Sequence, residues 1–241
     1  MTTPDDVHLL ALNNDNANAI DENLLNALSA GLRRARDERK KAVVLTGYDN
    51  FFCAGLNLKT LPDERDAMAA FIDIFEAVNL ELLQFELPVV AAVNGHAIAG
   101  GCVLACTADY RIGASGDYRI GVSEVSLGIV FPASAFEIMR FALAPHAVPD
   151  VLLGGKLLSP EQAKHAGILH RVVRPDRLVE DAVAHAAGLG EKPQSAFHHS
   201  KLALRAPMFE RIEAMRAEAR RGFLDSWFSP DVVARRRALL G

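Results

Sequence analysis

HAIAGGCVLAC, residues 96–106, is the stretch on which the reading of this chain turns. Gly100 and Gly101 open an apolar, uncharged run that reads as a helix from about Gly100 to Ala108. The first N–H groups of any helix lack an intrahelical acceptor, and here no side chain stands by to cap them. Just before it, LPVVAAVNG (87–95) is an apolar run of strand length closed by the turn dipeptide Asn94-Gly95. Just after it, DYRIGAS reads as strand and turn. A buried strand feeding a buried helix that feeds another strand predicts a βα unit.

The pattern extends in both directions. VHLLALN (7–13) reads as a strand ended by the turn-prone NNDN. A helix follows, with Asp21 as N-cap, Leu24, Leu25, Leu28 and Leu32 on one face, and a basic end. AVVLTG (42–47) is a short buried strand, and YDNFFCAGLNL after it reads as a loop. Residues 63–86 read as a helix with Phe71, Ile74, Phe75, Val78 and Leu82 on one face. Pro132 precedes another helix. LSPEQAKHAGI carries Ser159 at the N-cap, Pro160 at the first position and Gln162 at the third, the pattern of a capping box. LHRVV is a strand and RLVEDAVAHAAGLG a helix. From Lys192 onward the chain reads as helix in three pieces, KPQSAFHHSKLALR, MFERIEAMRAEARRGFLDSWF and SPDVVARRRALLG. These readings predict an α/β core over residues 1–190 and a helical region over 191–241. No repeat is visible in the sequence.

Composition narrows the class. Of the 241 residues half are hydrophobic and 23% charged, a globular balance with enough chain for a sizeable core. The net charge of −4 gives no general attraction to nucleic acid or anionic lipid. The three cysteines, Cys53, Cys102 and Cys106, lack the spacing of a zinc site or a disulfide frame and read as packed thiols. No metal site is expected. MTTPDDVHLL has no basic or long apolar stretch of a signal peptide, and no run of eighteen apolar residues exists, so a cytoplasmic protein without a membrane span is expected.

Four segments, LNNDNANAI, FFCAGLNLK, VVAAVNGHAIAGGCVLACTADYRI and IGVSEVSLGIVFP, resemble in that order the signature segments of the crotonase superfamily, the enoyl-CoA hydratases and isomerases. The similarity extends through SPEQAKHAGILHRVV and the helical tail. It implies a spiral of repeated ββα units with C-terminal helices that build homotrimers or hexamers. It implies an acyl-CoA thioester as substrate, with CoA entering as part of it and no separate cofactor.

The resemblance also assigns roles. Members hold an enolate oxygen between two backbone N–H groups, which here belong to Leu56 and Gly100; a helix start adds about half a positive charge there. From the residues alone, close helix packing is the other reading of Gly100 and Gly101. Glu124 matches the glutamate brought into the acyl pocket. Its apolar neighbours Val122, Val125, Leu127 and Ile129 predict a carboxyl raised toward neutral pH, the other reading being a surface glutamate. Hydratases use a second glutamate, whose position is held here by Val103. Valine accepts no proton. The pattern is similar to the branch that moves a 3-enoyl double bond into conjugation with the thioester; decarboxylases and hydrolases of the same fold also lack acids.

For substrate binding the match implies Ala17 and Asn18 near the adenine, Ala54 in the loop, Lys59 on the CoA phosphates, and Val103 and Phe131 in the acyl pocket. The basic residue usual before the adenine segment is missing, with Asn16 and Ala17 in its place. Lys59 alternatively reads as an exposed lysine at a helix start. Phe71, Phe75, Ile98 and Phe136 are further pocket candidates. His96 reads as a packed or exposed histidine. The tail residues Phe223, Leu224, Trp227 and Phe228 are expected to bury against a neighbouring subunit, or else to cover the pocket of their own. Some relatives bind RNA through a basic first helix, but Asp37 and Glu38 interrupt the run here and nucleic acid is not an expected partner.

Overall fold

A computed structural model describes residues 4–240; the first three residues of the N-terminal stretch and Gly241 lie outside the described residues, as do the side chains of Pro4, Asp15, Asn16 and Leu240. The chain begins with β1 (Val7–Ala11), α1 (Asp15–Asn18), a single turn, and α2 (Glu22–Asp37). Asp21 caps α2 by accepting from Leu24 N–H at 3.0 Å.

Three successive units then share one pattern. In the first, β2 (Ala42–Thr46) and β3 (Phe51–Cys53) lead to α3 (Arg65–Gln84). In the second, β4 (Val89–Val93) and β5 (His96–Ile98) lead to α4 (Gly100–Cys106). In the third, β6 (Tyr110–Ala114) and β7 (Ile120–Gly121) lead to α5 (Glu124–Leu127). The first strand of each unit joins a five-stranded parallel sheet of order β1-β2-β4-β6-β8, where β8 is Arg171–Val173. The second strand joins a three-stranded parallel sheet of order β3-β5-β7. The chain thus spirals, one ββα turn per unit. After α5 come α6 (Ala133–Ala142), α7 (Pro160–His165), β8, α8 (Leu178–Gly190), α9 (Gln194–Trp227) and α10 (Pro230–Leu240).

β2 and β4 are buried at every residue, which is why they read as unbroken apolar runs. Alternate side chains go to opposite faces. Val44, Val90, Ala92 and Ile112 meet Ala182 and Ala186 of α8 on one side, while Val43, Leu45, Ala91 and Val93 enter the main core on the other. The predicted capping box on α7 forms, with Ser159 and Gln162 bonded reciprocally.

Two expectations need correction. YDNFFCAGLNL is not all loop: Phe51–Cys53 is a strand pairing with β5. Nor does Pro207 divide the tail. One 34-residue helix runs from Gln194 through it. The turn before Pro207 is anchored by two buried cations. Lys201 Nζ donates to Phe85 O and Leu87 O at 2.9 and 3.4 Å, and Arg205 donates from Nη2 to Thr107 O at 3.1 Å and from Nη1 to Leu83 O at 2.5 Å. Asp109 faces both cations, at 2.9 Å from Lys201 and 3.0 Å from Arg205. These bonds satisfy carbonyls left over at the ends of α3 and α4 and lock α9 across the core. Among the described residues no helix is long and apolar enough to cross a membrane.

Candidate active site

The apolar residues of the tail turn inward. Phe223, Leu224 and Trp227 are buried by their own chain, and Phe223 and Trp227 wall a cavity of about 260 Å³ together with Ile72 and Phe75 of α3. The burial expected against a neighbouring subunit is therefore supplied within this one, and the tail covers its own pocket. The tail also holds the segment carrying Glu124. Arg235 donates to Leu127 O at 3.2 Å, and Ser226 Oγ accepts from Val130 N–H at 3.0 Å.

On the floor of the cavity two backbone segments meet. Gly55 has φ +90°, and a Cβ there would lie 2.9 Å from Ile98 O and 3.5 Å from Gly100 N, so only glycine lets the CAG loop lie against the start of α4. A parallel bridge joins Ile20 to Leu56: Ile20 N–H donates to Gly55 O at 2.7 Å and Asn57 N–H to Ile20 O at 2.8 Å. Both bonds use the residues flanking Leu56, so Leu56 N–H faces the opposite side. Leu56 and Gly100 both line the cavity, and neither N–H has an acceptor among the described residues. Ala99, between β5 and α4, sits at φ 51°, ψ −126°, a region costing an L-residue on the order of 1–3 kcal/mol. Its ψ sets the plane of the Ala99–Gly100 peptide, and hence where the Gly100 N–H points.

Glu124 is the only ionisable side chain lining this cavity among the described residues. It opens the one-turn helix α5, which Gly128 closes in the left-handed region at φ 80°. Leu127 and Ile129 bring apolar surface to it, whereas Val125 is exposed. Its Oε2 is shielded and without a hydrogen-bond partner. Burial pushes the carboxyl from 4.5 to about 7, against the smaller pull of the backbone N–H groups of Glu124 and Ser123. A carboxyl at that value holds or releases a proton near neutral pH. Two unpaired amides and one poised acid on an apolar wall suit removal of a proton beside a carbonyl whose oxygen gains charge.

The other expected residues distribute unevenly. Ala54, Phe75 and Ile98 line the cavity. Val103 and Phe131 do not: Val103 is wholly buried inside α4, and Phe131 packs edge-on against Phe136 at 6.1 Å. Their places in the wall are taken by Ile72, Pro132 and the tail. Asn18 is wholly buried and its side chain is spent on the fold, accepting from Asn14 N–H and donating to Phe51 O and Phe52 O. Ala17 O accepts from Ala54 N–H at 3.2 Å. Both residues have left-handed φ, 64° and 56°, and tie the 14–20 segment to β3 and the start of the loop that carries Leu56. Lys59 lies in an adjoining crevice with Arg236, Arg237 and Asp63, joined to the cavity at Leu58. Three cations against one acid make this crevice fit for an anion. His96 accepts from Arg119 N–H outside the cavity, and burial raises the Cys53 thiol to about 12, leaving it protonated. Ala99, Ser123 and Leu239 escaped the sequence reading, and only the adjacent glycine pair hinted at the first; Trp227 is among the tail residues for which cover of their own pocket is one of two expected roles.

The Enoyl-CoA hydratase/isomerase family description matches residues 2–235. The chain is 31% identical over 219 residues to the 2,3-dehydroadipyl-CoA hydratase of Escherichia coli (strain K12), covering 90% of this chain and 85% of that protein. Its fold matches that of human mitochondrial delta3-delta2-enoyl-CoA isomerase with a TM-score of 0.90 and 26% identity, covering 99% of this chain and 94% of the other. An enoyl-CoA hydratase/isomerase family protein from Pseudomonas syringae matches with a TM-score of 0.86 and 30% identity over 91% and 95% of the two chains. The spiral is thus that of an acyl-CoA enzyme fold, and the chain belongs to the enoyl-CoA hydratase/isomerase family.

Proposed function

We propose that this enzyme shifts the double bond of a 3-enoyl-CoA to the 2-position. The thioester oxygen accepts from the Leu56 and Gly100 amides. Glu124 takes a proton from C2, the electron pair passes through the conjugated enolate, and the same proton is returned at C4, so that C3=C4 becomes C2=C3. The observation that carries this reading is the single acid. With Glu124 the one titratable group on the cavity wall among the described residues, a stepwise proton shuttle needs no second acid, whereas adding water across a double bond calls for one to activate the water and one to deliver the proton. Val103, wholly buried where hydratases have that second acid, offers neither. The match to the human isomerase supports the same reading.

Hydration is the second reading, supported by the identity to the dehydroadipyl-CoA hydratase. The two separate when matched 3-hexenoyl-, 2-hexenoyl- and malonyl-type CoA thioesters are offered to the purified protein. The expected outcome is conjugated 2-enoyl product from the first, with hydration of the second slower by roughly 10²-fold or more, the weight of one missing acid–base group. Fast hydration of 2-hexenoyl-CoA, or decarboxylation of the malonyl thioester as the main activity, contradicts the isomerase reading. The same proposal places the CoA phosphates along Lys59, Arg236 and Arg237. It takes the enzyme as a cytoplasmic homotrimer or hexamer, in keeping with three buried free cysteines and with the assembly the resemblance implies; light scattering of the purified protein checks the mass.

A further inference from the structure

Two acids are buried in the helices behind the cavity, Glu76 on α3 and Glu137 on α6, at 2% and 1% exposure. Glu137 is answered by two cations, 2.9 Å from Arg140 and 2.7 Å from Arg211. Glu76, which forms no ion pair among the described residues, accepts at Oε1 from Ser134 N–H at 2.8 Å. One turn further along α3, Asn79 donates from Nδ2 to Ser134 Oγ at 3.3 Å. Asn79 and Ser134 are themselves buried. Ser134 stands in the first turn of α6, where N–H groups lack intrahelical acceptors. The N-cap residue there is Pro132, whose side chain offers no acceptor. A helix start favours an acid as partner, and here α3 supplies it from across the core.

This clamp joins two walls of the cavity. On α3 the lining residues are Ile72 and Phe75, one turn before Glu76 and Asn79 respectively; on α6 they are Pro132 and Ala135, on either side of Ser134. We propose that Glu76, backed by Asn79, is a positioning residue that holds the α3 and α6 walls together and so limits the bulk of the acyl chain the cavity admits. Apolar contact alone is non-directional and lets one helix shift on another. A buried carboxyl aimed at one amide fixes where α6 begins against α3, because any parting leaves both groups unpaired away from water. The inference rests on the acyl-CoA reading of the cavity but not on the double-bond shift.

Calorimetric titration with hexanoyl-CoA and 5,5-dimethylhexanoyl-CoA tests it. Both chains are saturated, so the outcome is independent of isomerisation. The quantity read is the ratio of the two dissociation constants, bulky over straight. Glu76→Ala should lower that ratio about tenfold from its value in the parent, the weight of a methyl group or so in a close-fitting pocket. Glu76→Gln keeps the accepting oxygen and should leave the ratio where the parent has it. Asn79→Ala removes only the second strut and should move the ratio the same way by about threefold; it carries the test if Glu76→Ala does not fold. A merely structural role lowers Tm and weakens both ligands alike, leaving the ratio unmoved. A folded Glu76→Ala, or failing that a folded Asn79→Ala, that keeps the parent ratio overturns the proposal. If the parent itself binds neither thioester, the acyl-CoA reading fails and the proposal with it.

Discussion

Glu124→Gln will cost roughly 10⁴ in turnover of 3-enoyl-CoA, the upper end of what one acid–base group contributes, because both proton transfers pass through it. Binding of a saturated acyl-CoA will change little, since glutamine keeps the shape and the two amides remain. The same substitution will stabilise the protein, and the sign follows from linkage. Burial raises the folded-state value from 4.5 to about 7, so between those limits the folded chain binds more protons than the unfolded one, and stability falls as pH rises. Below pH 4.5 the glutamate is neutral in both states and costs nothing. Above pH 7 the full cost of keeping it ionised is present, on the order of 3 kcal/mol at about 1.36 kcal/mol per pKa unit. Melting curves at pH 4 and pH 8 check this: Glu124→Gln should match the parent at the lower pH and exceed it at the higher. In the parent, kcat/KM should rise about tenfold per pH unit up to about 7 and then level. Equal melting behaviour at both pH values, or an active glutamine variant, contradicts the role given to Glu124.

Gly101→Ala will damage both the fold and the rate. A Cβ at Gly101 would lie 2.1 Å from Cys53 O and 2.7 Å from Cys53 C, backbone atoms with no rotamer to yield. Relief requires α4 and β3 to separate by about 1 Å, and that seam joins the Gly100 amide to the loop carrying Leu56. Overpacking of this kind costs about 1–3 kcal/mol. A misplacement of about 1 Å at a reacting centre costs ~10²-fold, and loss of one oxyanion donor ~10²–10³-fold. The expected result is a folded protein of lower Tm with kcat reduced by roughly 10²–10³. An alanine variant with unchanged kcat would show that the α4–β3 seam does not set the geometry of the two amides.

What could be read from the sequence follows from how local each signal is. Asp21 on α2 and Ser159 with Gln162 on α7 act within one turn, so residue type and spacing suffice. β2 and β4 announce themselves by unbroken apolar runs because both faces are covered. β3, β5 and β7 are two or three residues long, too short for any period; pairing with one another, not their own composition, makes them strands. The strained φ of Ala99 is imposed by the strand before it and the helix after it, and alanine gives no sign of it. The candidate site divides the same way. Leu56, Gly100 and Glu124 lie in segments with a recognisable pattern. Trp227 and Leu239 reach the cavity only because α9 and α10 fold back over more than a hundred residues of chain, and Val103 and Phe131 leave it because Val103 is buried within α4 and Phe131, just before α6, packs on Phe136. The first two tail pieces are one helix through Pro207, and Lys201, Arg205 and Asp109 pin the preceding turn by contacts that lie far off in the sequence.

Exchange of the C2 protons of hexanoyl-CoA in D₂O isolates the first half of the chemistry, without any double bond to move. Parent protein should catalyse deuterium incorporation at C2, visible by mass spectrometry, and Glu124→Gln should not. Exchange at the parent rate in the glutamine variant would show that another group takes the proton, and the single-acid account would fall.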